Sequence, residues 1–222
     1  MSTRVKICGI RTEAVLDAAL DAGADYVGLV MYPRSLRNVS IADAAVLTKR
    51  ARERGTAEVV TLLIDPDDAQ VDRVASEVAP DIIQLHGAET HERAEAIRQR
   101  SGLRVMKAVT VDRADEAEAA LAYLQPGGGA DMLLYDAKPP ADPKALPGGN
   151  GLSFDWHILD RVKGRAPFAL AGGLTPGNVA AAIKLTGAAI VDVSSGVESR
   201  FGEKDPNLIR RFLRAAKAAK QA

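Results

Sequence analysis

The stretch Val59-Val60-Thr61-Leu62-Leu63-Ile64 is apolar or β-branched at every position and runs into Asp65-Pro66. A half-buried strand alternates apolar and polar side chains, whereas a strand of a parallel sheet covered on both faces is a nearly continuous apolar run. This stretch therefore predicts a buried strand of a parallel sheet with helices packed against it.

Similar runs recur along the chain, and nearly all are followed by a segment typical of a helix. They lie at about residues 5–10, 26–31, 58–64, 82–87, 104–111, 131–137, 167–173 and 188–194. After the third run, Val71, Val74, Ala75 and Val78 have the spacing of one helix face. Eight strand–helix units predict the α/β class, with residues 1–222 forming a single (β/α)8 TIM barrel.

The alternative architecture is a doubly wound open sheet, whose parallel strands are equally apolar. That fold more usually has about five or six strands and a glycine fingerprint after the first one. The first strand here is followed by Cys8-Gly9-Ile10-Arg11-Thr12, which lacks that fingerprint. The number of units and this loop favour the barrel.

Short sequence signals predict three helix starts and one long loop. Asp65-Pro66, Thr175-Pro176 and Asp205-Pro206 each place a capping side chain before a proline suited to the first helical turn. Residues 138–151 are rich in proline and glycine and continue into another strand–helix unit, which predicts a loop after strand six that acts as a lid.

Composition limits the partners. The 29 basic and 29 acidic residues give zero formal charge, so no general field attracts nucleic acid or an anionic membrane. A lone cysteine forms no intramolecular disulfide, and no apolar run approaches the roughly 18 residues that cross a bilayer. We expect a soluble, cytoplasmic protein without nucleic-acid or membrane partners, either a monomer or a homodimer.

Cys8 closes the first predicted strand, in Val5-Lys6-Ile7-Cys8-Gly9-Ile10. In a TIM barrel the carboxyl ends of the strands open into the active-site mouth. The thiol is therefore a candidate catalytic group, although a lone cysteine is more often a small buried hydrophobe.

The last two predicted strands end in loops suited to phosphate. Strand seven runs into Ala171-Gly172-Gly173-Leu174 and strand eight into the segment 192–198. Glycine lets backbone N–H groups approach an anion, and a short helix after strand eight would direct its positive end there. The predicted site residues are Gly172, Gly173, Asp192, Ser194, Ser195 and Gly196. The alternative is that these glycines serve tight turns alone.

Taken together, the motifs resemble the phosphoribosylanthranilate isomerases of tryptophan biosynthesis over residues 5 to about 206. They are Lys6-Ile7-Cys8-Gly9, residues 32–40, Gln84-Leu85-His86-Gly87, Asp136, residues 148–151 with 154–156, Ala171-Gly172-Gly173-Leu174, and residues 192–198. Two positions depart from the family pattern: Asn150, where threonine is usual, and Phe201, where proline is common.

The resemblance implies an Amadori rearrangement of N-(5-phosphoribosyl)anthranilate to 1-(2-carboxyphenylamino)-1-deoxyribulose 5-phosphate. It assigns Asp136 as the general acid, Cys8 as the general base and Arg37 to the anthranilate carboxylate, with His86 as a further substrate contact. The rearrangement is internal to this small-molecule phosphoribosyl substrate, so no cofactor is expected.

Each role has a simpler alternative. Asp136 also fits a strand-end cap, His86 a structural group and Arg37 a solvated charge, with Arg34 as its rival for the carboxylate.

The three histidines lack metal-ligand spacing, so no metal site is expected, and this disfavours a ribulose-phosphate epimerase. Two other functions remain: an aminosugar isomerase of histidine biosynthesis, which has aspartate where Cys8 stands, and a non-catalytic phosphosugar-binding barrel.

Overall fold

Eight parallel strands close into a barrel in the computed structural model, which describes residues 3–55, 57–138, 148–149 and 151–219. The barrel strands are β1 (Arg4–Cys8), β2 (Tyr26–Val30), β3 (Glu58–Leu63), β4 (Ile82–Leu85), β5 (Arg104–Val111), β6 (Met132–Ala137), β7 (Phe168–Leu170) and β8 (Ile190–Val193). Each strand pairs with its neighbour in sequence, and β8 pairs with β1. The predicted (β/α)8 barrel is confirmed.

Helices cover the outside of this barrel. They are α1 (Glu13–Asp21), α2 (Ile41–Arg54), α3 (Asp68–Arg73), α4 (His91–Ser101), α5 (Ala114–Ala119), α6 (Val179–Thr186) and α7 (Pro206–Ala218). A π-helical turn (Val74–Val78) extends α3, a 3-10 turn (Ala120–Leu124) extends α5, and a 3-10 segment (Trp156–Arg161) takes the helix position after β6. No helix among the described residues is long and apolar enough to span a membrane.

The loop after β8 contains a 3-10 turn (Ser195–Val197) and a small antiparallel hairpin formed by β9 (Glu198–Arg200) and β10 (Glu203–Lys204). We call these last two strands and their turn the 198–204 hairpin. It lies at the carboxyl end of the barrel, because it follows directly from that end of β8.

Alternation of side chains along each strand places every second residue in the barrel interior. The lower interior is apolar and contains Tyr26, Val60, Ile82, Met106, Ala108, Leu134, Ala169, Ala171 and Ile190. Two residues further along β4, β6 and β8, the inward positions become polar: Gln84, Asp136 and Asp192. On these three strands, the inward-facing side chains therefore change from apolar to polar towards the carboxyl end of the barrel.

Of the three predicted helix starts, one is confirmed. Asp205 caps α7, its side chain accepting from the N–H of Asn207, with Pro206 as the first helical residue. The other two predictions are wrong. Asp67 caps α3 instead of Asp65, and Thr175-Pro176 form a turn before α6, which begins after Asn178.

Asp65 and Thr175 form other hydrogen bonds instead of capping a helix. The carboxylate of Asp65, whose backbone φ is 45°, accepts from the N–H of Ala88 in the next strand–helix loop. The hydroxyl oxygen of Thr175 accepts from the N–H of Gly177, in the turn before α6. Both side chains therefore accept from N–H groups of loops and not from the first turn of a helix.

Candidate active site

A cleft opens at the carboxyl ends of the barrel strands. Every residue that the sequence predicts for the site lines it: Cys8, Arg37, His86, Asp136, Gly172, Gly173, Asp192, Ser194, Ser195 and Gly196. The predicted lid at 138–151 lies largely outside the described residues, as does Asn150. Its described glycines, Gly148, Gly149 and Gly151, line the cleft.

The thiol of Cys8 lies beside a buried ion pair. Nζ of the fully buried Lys6 is 3.1 Å from Oδ1 of Asp192, and its charge interacts with the Cys8 side chain. Burial opposes the charge on Lys6, but Asp192 and Cys8 outweigh it and raise the Lys6 pKa. Burial also raises the pKa of the Cys8 thiol, and Lys6 opposes that shift.

Gly28 provides the space for this arrangement on the neighbouring strand. A Cβ atom at position 28 would lie 2.9 Å from Sγ of Cys8 and 3.2 Å from Nζ of Lys6. The first distance is shorter than real Cβ contacts allow, so a side chain here would displace the thiol or the ammonium group.

His86 and Asp136 face each other across the cleft wall formed by β4 and β6. Nε2 of His86 is 3.4 Å from Oδ2 of Asp136, and Oδ1 of Asp136 accepts from the N–H of Ala137. Nε2 of Gln84 lies 3.3 Å from Nδ1 of His86. Within the described part of the chain, Oε1 of Gln84 and Nε2 of His86 are buried without an aligned hydrogen bond. Both atoms are therefore available to a ligand.

The 198–204 hairpin fixes the position of the Arg37 side chain. Its Nε and Nη2 donate to the two carboxylate oxygens of Glu198 at 2.7 and 2.8 Å, and Nη2 also reaches the carbonyl of Gly149 at 3.3 Å. The Phe201 ring covers the guanidinium at 4.6 Å. By contrast, Arg34 is exposed and contacts the hydroxyl of Tyr32. Of the two arginines, Arg37 is the one that lines the cleft.

Lys204 completes this cluster. Its buried Nζ lies 2.5 Å from Oε1 of Glu198 and 3.2 Å from both the carbonyl and the hydroxyl oxygen of Ser194. Although burial opposes it, hydrogen bonds from Arg37 and Lys204 lower the pKa of Glu198 to about 2. Burial lowers the pKa of Lys204, and Glu198 opposes that shift.

The glycines of the two predicted phosphate loops are required by close packing. A Cβ at Gly196 would collide with the carbonyl of Leu174, which joins the loops after β7 and β8. Gly172 has φ 84°, and a Cβ there would lie 2.8 Å from the N–H nitrogen of Ala137. Among the described residues, the backbone N–H groups of Gly173 and Gly196 donate to no protein acceptor. These free donors border the cleft.

A further buried ion pair, formed by Lys107 and Glu89, supports the loop that follows β4 and His86. Nζ of Lys107 lies 2.7 Å from Oε2 of Glu89 and donates to the carbonyl of Gly87, while the N–H of Gly87 donates to Glu89. Both polar groups of the residue that follows His86 are thus held by one ion pair. No local pattern in the sequence indicates this pair.

Sequence reasoning also leaves out Gln84, Glu198 and Lys204 as site residues. Gln84 has a readable signal, because it lies two positions before His86 on one strand and so shares its inward direction. Glu198 and Lys204 have no comparable signal, since 161 residues separate Glu198 from Arg37. Lys6 is part of the first motif, but only the fold places its charge beside Cys8.

Comparison with known proteins extends over nearly the whole chain. Residues 5–215 match the family of N-(5′-phosphoribosyl)anthranilate (PRA) isomerase. The chain is 52% identical over 220 residues to the N-(5′-phosphoribosyl)anthranilate isomerase of Paramagnetospirillum magneticum, covering 99% of this chain and 100% of the relative.

Two solved structures show the same similarity. One is of monomers generated from the dimeric phosphoribosylanthranilate isomerase of Thermotoga maritima, at 35% identity and a TM-score of 0.81, covering 97% of this chain and 98% of that one. The other is a phosphoribosyl anthranilate isomerase in complex with reduced 1-(o-carboxyphenylamino)-1-deoxyribulose 5-phosphate. It is 34% identical, with a TM-score of 0.81 and the same coverage of both chains.

Proposed function

This chain belongs to the N-(5′-phosphoribosyl)anthranilate isomerase family of tryptophan biosynthesis, and we propose that Cys8 and Asp136 perform the proton transfers of its reaction. The observation that carries the proposal is the position of both groups on the wall of one cleft at the carboxyl ends of β1 and β6. General acid and base catalysis needs two groups that reach one substrate.

In the first step, Asp136 donates a proton to the ring oxygen of the furanose. The bond from that oxygen to C1′ breaks, and the nitrogen lone pair forms a C=N bond to C1′, which leaves a positively charged imine. Asp136 is then a carboxylate. His86, with Nε2 at 3.4 Å, is placed to contact this developing charge.

In the second step, the thiolate of Cys8 removes the proton from C2′. The electrons of that C–H bond form a C1′=C2′ double bond and neutralise the imine nitrogen, giving an enolamine. Transfer of the hydroxyl proton from O2′ to C1′ then gives the ketone. The next turnover requires a proton to return from the Cys8 side of the cleft to Asp136, so the cycle consumes none.

A thiolate in a buried site needs a neighbouring cation, because burial alone disfavours its charge. Lys6 meets this requirement, since its charge favours the Cys8 thiolate while Asp192 holds the ammonium group in place. The arrangement supports the general-base role over that of an inert buried cysteine.

The substrate is held at both ends. We assign its phosphate to the loops containing Gly173 and Gly196, whose free N–H groups suit an anion. The anthranilate carboxylate is assigned to Nη1 of Arg37, because Glu198 and Gly149 already occupy its Nε and Nη2 donors. Gln84 and His86 are left to contact the sugar hydroxyls.

The test is a rate measurement on freshly generated N-(5-phosphoribosyl)anthranilate. Loss of substrate fluorescence is followed in EDTA with the wild-type protein and with Cys8→Ala. Rapid loss that depends on Cys8 supports the assignment. A rate no higher than the uncatalysed one would overturn it, and the aminosugar of histidine biosynthesis would be tried next.

A further inference from the structure

Three charged side chains form the buried wall behind the cleft: Arg37, Glu198 and Lys204. Their side chains are 4%, 3% and 2% exposed, respectively. Glu198 binds both cations at once, with Oε1 shared between Nε of Arg37 at 2.7 Å and Nζ of Lys204 at 2.5 Å. The wall therefore contains two positive charges and one negative charge.

The charge balance decides whether this arginine attracts an anion. A guanidinium paired through two hydrogen bonds with one carboxylate forms a nearly neutral unit, and a second carboxylate gains little by approaching it. Lys204 changes this balance, because it neutralises Glu198 from the other side. Coulomb interactions are stronger in a buried site than in water, so this one unit of charge matters there.

The other charges around the cleft do not replace the positive charge of Lys204. Lys6 and Asp192, the next ionised pair along the cleft, neutralise each other. Asp136 lies beside His86 and is itself acidic. Gly9 brings the cluster close to Cys8, because a Cβ there would lie 2.7 Å from Cδ of Arg37 and 3.3 Å from Nζ of Lys204.

We propose that Lys204 is a positioning residue for substrate binding, which supplies the net positive charge that lets Arg37 attract the carboxylate while Glu198 fixes the orientation of the guanidinium. The proposal rests on the proposed function, because it deepens the role of Arg37. The carboxylate is bound through Arg37, and Lys204 acts from behind it.

A purely structural role is the competing explanation. Lys204 also donates to both oxygens of Ser194, and this contact joins the 198–204 hairpin to the loop after β8. If Lys204 only anchored the hairpin, its loss would lower kcat/KM equally for every substrate. Removing Glu198 as well would then lower kcat/KM further.

The experiment compares two substrates that differ in the carboxylate alone. Ribose 5-phosphate condenses with anthranilate to give the natural type of substrate and with aniline to give the same compound without the carboxylate. For each, kcat and KM are measured by product chromatography. The ratio of the two kcat/KM values isolates the contribution of the carboxylate.

The variants are Lys204→Gln, Glu198→Gln and the double variant, with Lys217→Met as the matched control. Gln at position 204 removes the charge but keeps a hydrogen-bond donor, and Lys204→Met is the alternative if it does not fold. Lys217 also pairs with a carboxylate, Asp25, but this pair lies before β2, at the opposite end of the barrel.

We expect Lys204→Gln to lower the ratio about tenfold through KM for the anthranilate compound, with kcat and the aniline compound little changed. The double variant restores one net positive charge and should recover most of the loss. Equal losses on both substrates, or a double variant worse than Lys204→Gln, would overturn the proposal. Lys217→Met should leave the ratio unchanged.

Benzoate binding, measured by calorimetry, tests the same point without turnover. The dissociation constant should rise about tenfold in Lys204→Gln and recover in the double variant. An unchanged constant contradicts the role of Lys204. A wild-type protein that binds benzoate but converts neither compound would instead contradict the proposed function.

Discussion

The ammonium group of Lys6 lies 3.1 Å from a carboxylate oxygen of Asp192, inside the barrel, and both it and the thiol of Cys8 lie next to Gly28. Lys6 lies on β1 and Asp192 on β8. These strands are neighbours in the closed sheet, and the two residues are directly opposite each other in its register. The ion pair therefore holds a cation beside the proposed base without adding net charge to the cleft.

Lys6→Met should move the pH profile of kcat/KM to higher pH. Burial raises the Cys8 pKa and Lys6 opposes that shift, so loss of Lys6 leaves the thiol harder to ionise. Because the base must be a thiolate, the rate rises with pH through the thiol pKa, and at neutral pH the variant should lose at least about tenfold.

The matched control for Lys6 is the double variant Lys6→Met with Asp192→Asn, which removes both charges. Since Asp192 itself raises the Cys8 pKa, the double variant should lie between the wild type and Lys6→Met. A rising limb at the same pH in all three proteins would show that Cys8 ionisation does not control the rate.

Cys8→Ala should reduce kcat at least about 10²-fold, the lower range for loss of general base catalysis, with little change in KM. Substrate fluorescence gives both constants. If Cys8 is instead an inert buried hydrophobe, the variant will melt at a lower temperature and retain a near-normal kcat.

Asp136→Asn should likewise reduce kcat at least about 10²-fold, because an amide cannot donate the proton that opens the furanose ring. Asparagine keeps an oxygen that can accept from the N–H of Ala137, so the fold should be retained. A normal rate with a lowered melting temperature would favour the strand-end cap.

Arg37→Met should raise KM about tenfold or more, with a smaller effect on kcat, because Arg37 is assigned to the carboxylate in the bound state. Arg34→Met is the natural comparison, since Arg34 is exposed and contacts Tyr32. An unchanged KM in Arg37→Met together with a raised KM in Arg34→Met would exchange the two roles.

Lys107→Met should destabilise the protein by about 3 kcal/mol or more in urea unfolding, because it leaves Glu89 as an unpaired buried charge. Lys217→Met, at a partly exposed pair, should cost less than about 1 kcal/mol. Similar midpoints for the two variants would show that the Lys107–Glu89 pair contributes little.

Local patterns in the sequence were sufficient for the barrel and for the residues at its strand ends. Apolar runs predicted all eight strands, with errors of up to three residues at their ends, as at β7, where the run continues to residue 173 but the strand ends at Leu170. Hydrogen-bonded pairing stops before the apolar run does, and Gly172 and Gly173 lie in the loop beyond it.

What the sequence could not supply were contacts between distant segments. Arg37 was recognised, but its partner Glu198 was known only as part of a motif, and so the occupied donors of Arg37 were not foreseen. The cap at Asp65 failed for the same reason, because its acceptor role toward Ala88 depends on how two loops meet.

The pairs Lys6–Asp192 and Arg37–Glu198 join residues 186 and 161 positions apart, across the seam where β8 meets β1. A nascent chain on the ribosome that has emerged as far as β7 already contains Cys8 and Asp136, yet it lacks the counter-ion of Lys6 and the support of Arg37. We therefore expect enzymatic activity only after β8 and the loop that follows it have been synthesised. In refolding, we expect the recovery of activity to follow the closure of this seam.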